Sequence, residues 1–196
     1  MRSSFTLLML ATLLSSGVGC GGQPDAGPFG SPQPSALLAP FAGNWTCDFE
    51  QTLAAQKAAG APDEQIERLR QFHAQHPELK MLHTDISITG DVAVGAGVPS
   101  SEYRFFSMHQ HGTKVCGKAW HHEDRFDPGD MSKCLVRLMI QNDCLHLDLG
   151  MKDGQLDMND KDMLSHPPVE SPSAKDCEAD KPIATEWTTF VFTRKT

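Results

Sequence analysis

The chain has 196 residues, with Lys+Arg 17 against Asp+Glu 25 and a formal charge of −8 when histidine is neutral. Once processed ends are discounted, that is the length of one domain, with enough chain to bury a core. The acidic balance opposes the basic surface that phosphate backbones require, which argues against nucleic acid as a partner.

Arg2 is followed by an apolar run from Phe5 to Leu14 and then by Ser15-Ser16-Gly17-Val18-Gly19-Cys20. A positive start, a short apolar run and a stretch of small residues read together as an export signal over residues 1–19. The small residues ending at Cys20, with Gly21 and Gly22 behind them, resemble a bacterial lipoprotein signal, although Gly17 stands where that family usually has Leu. The resemblance implies that Cys20 is acylated and that the domain is held to a membrane in the bacterial cell envelope, outside the cytoplasm. Signal cleavage without a lipid is the alternative. Up to Pro40 the chain is Gly, Pro, Ser, Gln and Ala with hardly a bulky apolar residue before Leu37-Leu38, so residues 20–40 are expected to be a tether. Its reach is about 25 Å by flexible-chain statistics. The folded domain is expected over residues 41–196.

Phe41 to Phe49 reads as a strand with Trp45 early in it. Leu53 to Ala59 are strong helix formers ending at Gly60, and Pro62-Asp63-Glu64 opens a second helix with proline and acids in its first turn. Ile66, Leu69, Phe72 and His73 share one face of it, and His76-Pro77 ends it. The hairpin is read as packing on the end of a sheet; DNA binding by it is disfavoured by the net charge. Strand patterns follow over Met81 to Thr89 and Val92 to Val94, around a turn at Gly90-Asp91.

From Tyr103 to Leu149, apolar-aromatic runs are separated by turn chemistry at His111-Gly112, Asp127-Pro128-Gly129-Asp130 and Gln141-Asn142-Asp143. That spacing predicts an antiparallel meander. Leu145, Leu147 and Leu149 alternate with Cys144, His146 and Asp148, as a strand with one apolar face requires. Leu135 and Met139 lie on the opposite face from Val136, Leu138 and Ile140, so that strand is expected to be covered on both sides. Residues 152–184 show no periodic pattern and read as a long Pro-rich loop, unusual enough to be either functional or loose. Trp187 to Arg194 is the last strand.

This order of a Gly43-Asn44-Trp45 strand, two helices, a meander and a last strand ending at Arg194 resembles the calycin barrels, and most of all the intracellular fatty-acid-binding proteins. The resemblance implies a mainly β domain, an antiparallel meander closing into a small barrel with a two-helix hairpin after the first strand. Gly43, Trp45 and Arg194 would close the floor, the tryptophan packing beneath the arginine, and the helices from Thr52 to His76 would form a portal lid. Fatty-acid-binding proteins also carry Arg-x-Tyr in the last strand to hold the ligand carboxylate. Arg194-Lys195-Thr196 has no such tyrosine, so a barrel that encloses something is implied and fatty-acid binding is not.

Six cysteines minus an acylated Cys20 leave five, Cys47, Cys116, Cys134, Cys144 and Cys177, so one at least is unpaired within a monomer. In an exported protein the others can form disulfides, or stay as small buried apolar residues. A bridge from Cys177 to the meander would pin the Pro-rich loop, and Cys134 is the preferred partner. His109 and His111 share a strand face, and His121-His122 adds further imidazoles. The hairpin geometry sets the two groups roughly 23 Å apart, too far for one metal site. Glu123, Asp124, Asp127 and Asp130 could surround a hard cation such as calcium. Pro128-Gly129 explains the last two as parts of a type II turn, and tight metal binding is not expected.

No cofactor motif, nucleophile elbow, phosphate loop or HExxH occurs. The sequence therefore favours a non-enzymatic barrel, anchored to a membrane, that binds a small apolar or amphipathic ligand. The alternatives are a structural envelope protein without ligand, and a metal protein or enzyme using residues 121–130.

Overall fold

The computed structural model describes residues 29–75, 85–96, 100–123, 132–151, 173–178 and 186–195. The export signal, Cys20, Asp124, Asp127, Asp130 and most of the Pro-rich loop lie outside them. The elements are a one-turn 3-10 helix (Ala39–Phe41), β1 (Gly43–Cys47), α1 (Phe49–Ala58), α2 (Asp63–Gln75), β2 (Asp85–Thr89), β3 (Val92–Ala96), β4 (Ser101–His111), β5 (Lys114–Glu123), β6 (Ser132–Gln141), β7 (Cys144–Met151), α3 (Ala174–Glu178) and β8 (Glu186–Arg194). Every strand pairs antiparallel with its neighbour in sequence, and β8 returns to β1, closing a barrel of eight strands. The mainly β fold with a helical hairpin after the first strand is thus present, and the barrel is compatible with a calycin-like fold.

Three connections are two-residue hairpin loops, with Thr89 facing Val92, His111 facing Lys114 and Gln141 facing Cys144. Asn142 and Asp143 both take positive φ, the backbone a type I′ turn demands and one that Asn and Asp tolerate. These loops fix the register, so alternate residues point inward around the barrel, apart from a register shift between Phe106 and His109 of β4. Trp45, Ile86, Ile88, Tyr103, Phe105, Val136, Leu138, Leu145, Leu147, Phe190 and Phe192 belong to one buried cluster. β6 is covered on both sides as expected, with Leu135 and Arg137 buried on the outer face and Val136 and Leu138 on the inner one.

The strands are unequal. β1, β2 and β3 have five residues each, whereas β4 has 11 and β8 has nine. β1 therefore stops at Cys47, opposite Phe192, and leaves the edge of β8 beyond it without a strand partner. Helix α1 takes that place. Asp48 caps it, accepting from the Gln51 amide at 3.0 Å, while the Asp48 amide continues the ladder to the Val191 carbonyl. The Thr52 hydroxyl then accepts from the Val191 amide at 2.9 Å, and Gln56 Nε2 donates to the Thr189 carbonyl at 3.1 Å. The match is geometric: four residues of helix rise about 6 Å, close to the roughly 6.7 Å between alternate residues of a strand. Leu53, between them, is buried.

The apolar stripe read on α2 is covered in part. Ile66 is buried and His73 stacks on Phe49 with ring centroids 4.1 Å apart, but Phe72 stays 45% exposed. The exposed Arg70–Glu50 pair joins the two helices and contributes little on a solvated surface.

The packed chain also begins earlier than Phe41. Leu38 and Phe41 are buried in the core cluster, and Gln33 meets the β2–β3 hairpin at Gly90 and Asp91. The Gln33 amide donates to Asp91 Oδ1 at 2.6 Å and the Asp91 amide donates back to the Gln33 carbonyl at 2.9 Å. Arg104 Nη2 reaches the Ser31 carbonyl at 2.8 Å. Gly90 is where this strap needs glycine: a Cβ there would overlap the Gln33 carbonyl, and its φ is positive. The tether composition hid this docking because it rests on backbone hydrogen bonds and two apolar side chains.

Candidate ligand site

In a meander all odd connections share one end. The lower end holds the start of β1, the end of β8 and the three tight hairpins; the upper end holds the departure of β1 into α1 and the longer connections.

The lower end is sealed. Trp45 is 1% exposed and its Nε1 donates to the Phe41 carbonyl at 2.8 Å, so the indole is fixed by its polar edge as well as its apolar face. Arg194, directly opposite Trp45 in the ladder, holds its guanidinium 4.4 Å from the centre of the indole. Gly43 makes room for it: a Cβ there would stand 3.2 Å from Arg194 Nη1, on a backbone with φ +126°. Gly43, Trp45 and Arg194 are therefore together at the floor, in the arrangement the calycin resemblance implies.

The upper interior is different in kind. Register and alternation put Cys47, Tyr103, His121, Cys134, Leu149 and Thr188 on the inner wall at this end. Tyr103 faces His121 across the β4–β5 ladder and their rings stack at 4.5 Å. Cys47, His121, Cys134 and Leu149 are half-buried and Thr188 is exposed, whereas Leu145 and Leu147 lower on the same wall are buried. Among the described side chains of the inner wall, Arg194 at the floor is the one with a permanent charge.

Neither upper thiol is built as a nucleophile. Burial pushes Cys134 up from 9.0 to about 12, opposed by a weak contact with the Ala119 carbonyl. Burial also raises Cys47, against the lowering effect of its contact with the Thr52 hydroxyl. A thiol kept protonated packs as a small apolar group.

A second cluster lies on the outer wall. The tight turn at Asn142-Asp143 sets Arg137 opposite Asp148, and the next ladders add Cys116 on one side and Thr189 on the other. Arg137 Nε and Nη2 both reach Asp148 Oδ2 at 2.6 Å, and the Thr189 hydroxyl donates to Asp148 Oδ1 at 2.7 Å. Both charged residues are buried, so the paired geometry is what makes their burial tolerable. Sequence reading missed this row, although the hairpin register alone places 137 across from 148.

The disulfide prediction is corrected by the same wall. Cys177 bonds to Cys116, not to Cys134, whose thiol is free together with those of Cys47 and Cys144. Cys134 points into the barrel and Cys116 points out, toward α3, so the outward residue was the reachable one. The Pro-rich stretch is also not wholly without structure: it contains α3, held by the disulfide and by Lys114 Nζ donating to the Glu178 carbonyl at 2.9 Å.

Of the proposed metal ligands, Glu123 ends β5. His109 and His111 lie at the lower end of β4, and His121 pairs with Tyr103 far up the same ladder, so they do not meet. Among the described residues no three His, Cys, Asp or Glu side chains gather as a metal site would require.

No known protein family matches the chain, and neither a curated protein nor a solved structure is significantly similar to it. No helix among the described residues is long and apolar enough to cross a membrane.

Proposed function

We propose that this chain is an exported, lipid-anchored protein whose calycin-like barrel holds one small, apolar, uncharged molecule and catalyses no reaction. The observation that carries the reading is the contrast within the barrel lumen: a floor closed by Trp45 and Arg194, beneath an upper wall of half-buried Cys47, Cys134 and Leu149. Eight strands leave an interior that side chains fill or that accommodates one small ligand. The filled middle, where Phe105, Phe190 and Leu147 are buried, restricts the occupant to the upper part and to a small size. A carboxylate would need a cation beside it, and the lumen's arginine is at the floor, engaged with Trp45. An amphipathic ligand is thus limited to one with a neutral polar group.

Anchoring through Cys20 is supported by the pattern of the first twenty residues. The disulfide on the outer wall fits an oxidising compartment, since such bonds are rare where thiols are kept reduced. The raised pKa of Cys47 and Cys134 speaks against thiolate nucleophiles in the lumen.

Native mass spectrometry and metal analysis of the protein purified without denaturation test the proposal. A co-purifying mass, released by organic solvent, is expected. Protein at its bare mass that also fails to take up any apolar probe would favour the structural envelope role instead, and a stoichiometric metal would favour the metal-protein reading of residues 121–130.

A further inference from the structure

Helix α3 is held to the barrel in a way its own sequence does not account for. It has five residues, and isolated helices shorter than about 12 residues are marginal in water. The Ser173 hydroxyl accepts from the Asp176 amide at 3.2 Å and Asp176 Oδ2 accepts from the Ser173 amide at 2.9 Å, a reciprocal cap that satisfies two backbone donors. That cap shapes the turn without fastening it to the wall. Ser173, Ala174, Lys175 and Glu178 are exposed, and Cys177 is the one buried residue of the helix. The side chain that docks α3 is therefore the side chain that forms the disulfide.

The wall beneath is built independently of that bond. Cys116 lies on the outer face of β5, a strand paired on both sides with β4 and β6, and the barrel closes where β8 meets β1. α3 takes no place in the ladder, so opening Cys116–Cys177 breaks no strand pairing. Nor can another thiol among the described residues replace either sulfur. Cys47 and Cys134 face the interior, and Cys144 is four residues along β7 from Asp148 and two strands over from Cys116, roughly 16 Å away. Reoxidation of an opened bond thus restores the same pair.

We propose that Cys116–Cys177 is a reducible latch, opened by a dithiol, that fastens α3 to the outer wall and is not needed to keep the barrel closed. Cys116 points outward to α3, so the line from its sulfur to that of Cys177 leads away from the wall. In-line attack is then open at the Cys177 sulfur and blocked by the strand at Cys116, and fraying of so short a helix admits the reductant. One thiolate of the dithiol bonds to the Cys177 sulfur, and the Cys116 sulfur leaves and takes a proton. The second thiolate bonds to the first sulfur of the dithiol and displaces Cys177, which is protonated in turn. Two electrons and two protons pass to the chain, and the dithiol ends as its own disulfide. The change is local: α3 leaves the outer face of β5 at Cys116, next to Arg137 in the ladder.

The full chain, treated with dithiothreitol in the absence of denaturant, tests the latch by amide exchange. The Cys177 amide donates to the Ser173 carbonyl at 3.0 Å, and its exchange should quicken about tenfold or more while Leu138 and Leu147 keep their protection. Cys116→Ala combined with Cys177→Ala should reproduce the fast exchange at position 177 without reductant. Protection of α3 in the reduced protein or in the double variant would show that other contacts hold the helix, and would overturn the latch. Loss of protection in β6 and β7 together with α3, or a double variant that does not fold, would make the bond a staple of the whole domain and overturn it equally. Trapping the freed thiols with iodoacetamide gives the rate of reduction. A rate no faster than global unfolding would show that a dithiol does not reach the bond in the folded protein, and the proposal fails.

Discussion

The two ends of this barrel solve opposite problems with the same alternating strands. At the lower end Trp45, Arg194, Phe41 and Leu38 come together: an indole fixed through its N–H, a cation over its face, and two apolar residues of the N-terminal segment buried in the same cluster. At the upper end the described inner wall carries two thiols, a leucine, a tyrosine stacked on a histidine, and a threonine; Cys47, His121, Cys134 and Leu149 are half-buried and Thr188 is exposed, while Tyr103 is buried. The pattern of inward and outward residues is kept from one end to the other except in β4, where the register shifts between Phe106 and His109. What differs is side-chain volume and the length of the connections, short hairpins below and long segments above.

The floor is the place where a single substitution should do most harm. Replacing Trp45 by Ala removes the largest fully buried side chain and the partner of Arg194, and a loss of about 3–5 kcal/mol is expected in denaturant unfolding. A variant as stable as the parent would mean that the floor is not a stabilising centre. Asp148→Ala follows, at about 3 kcal/mol, because Arg137 would be left as an uncompensated buried charge. The control separates the interaction from its burial: Arg137→Met combined with Asp148→Leu should recover most of that loss, and a double variant as weak as the single one would contradict this account of the wall.

A smaller effect is expected where α1 substitutes for a strand. Thr52→Val keeps the shape but leaves the Val191 amide without its acceptor, at a cost of about 1–2 kcal/mol. Amide exchange at Val191 should quicken with it. Unchanged exchange would show that the helix does not hold that edge.

The upper end gives the mildest and most specific signature, in its pH dependence. Cys134 in the folded chain loses its proton only near about 12, whereas in the unfolded chain it does so near 9.0. The folded state therefore holds the proton more tightly over that range, and the stability this provides is complete below about 9 and declines as pH rises toward about 12. Cys134→Ala should flatten this decline relative to the parent. An identical slope in both proteins would place the sulfur in a wetter environment than its position implies.

Much of this architecture is legible in the sequence because hairpin loops and alternation are local. Gly90-Asp91, Gly112 after His111 and Asn142-Asp143 announce their turns, and each fixes the pairing of the strands around it. The Trp45–Arg194 contact was reachable only through resemblance, since nothing in the spacing joins two residues so far apart along the chain. The strap was not legible: Gln33 docks through its backbone, and a segment of Pro, Ser and Gln carries no periodic pattern to announce it. The Cys116–Cys177 bond was missed for a related reason. Its choice depends on which wall each cysteine faces and on where α3 settles, a tertiary fact. The grouping of Cys47, Tyr103, His121, Cys134, Leu149 and Thr188 on one stretch of inner wall was not legible because the six residues come from six strands.

The proposed function puts the ligand against the upper inner wall, and not at the floor or on the outer wall. The most direct test is to titrate the purified domain with a small neutral apolar probe and follow its amide and side-chain resonances. Saturable shifts should concentrate at Cys47, Tyr103, His121, Cys134, Leu149 and Thr188, with Trp45, Arg194 and the Arg137–Asp148 pair unmoved. Shifts centred on the floor or the outer wall, or none that saturate, would contradict it.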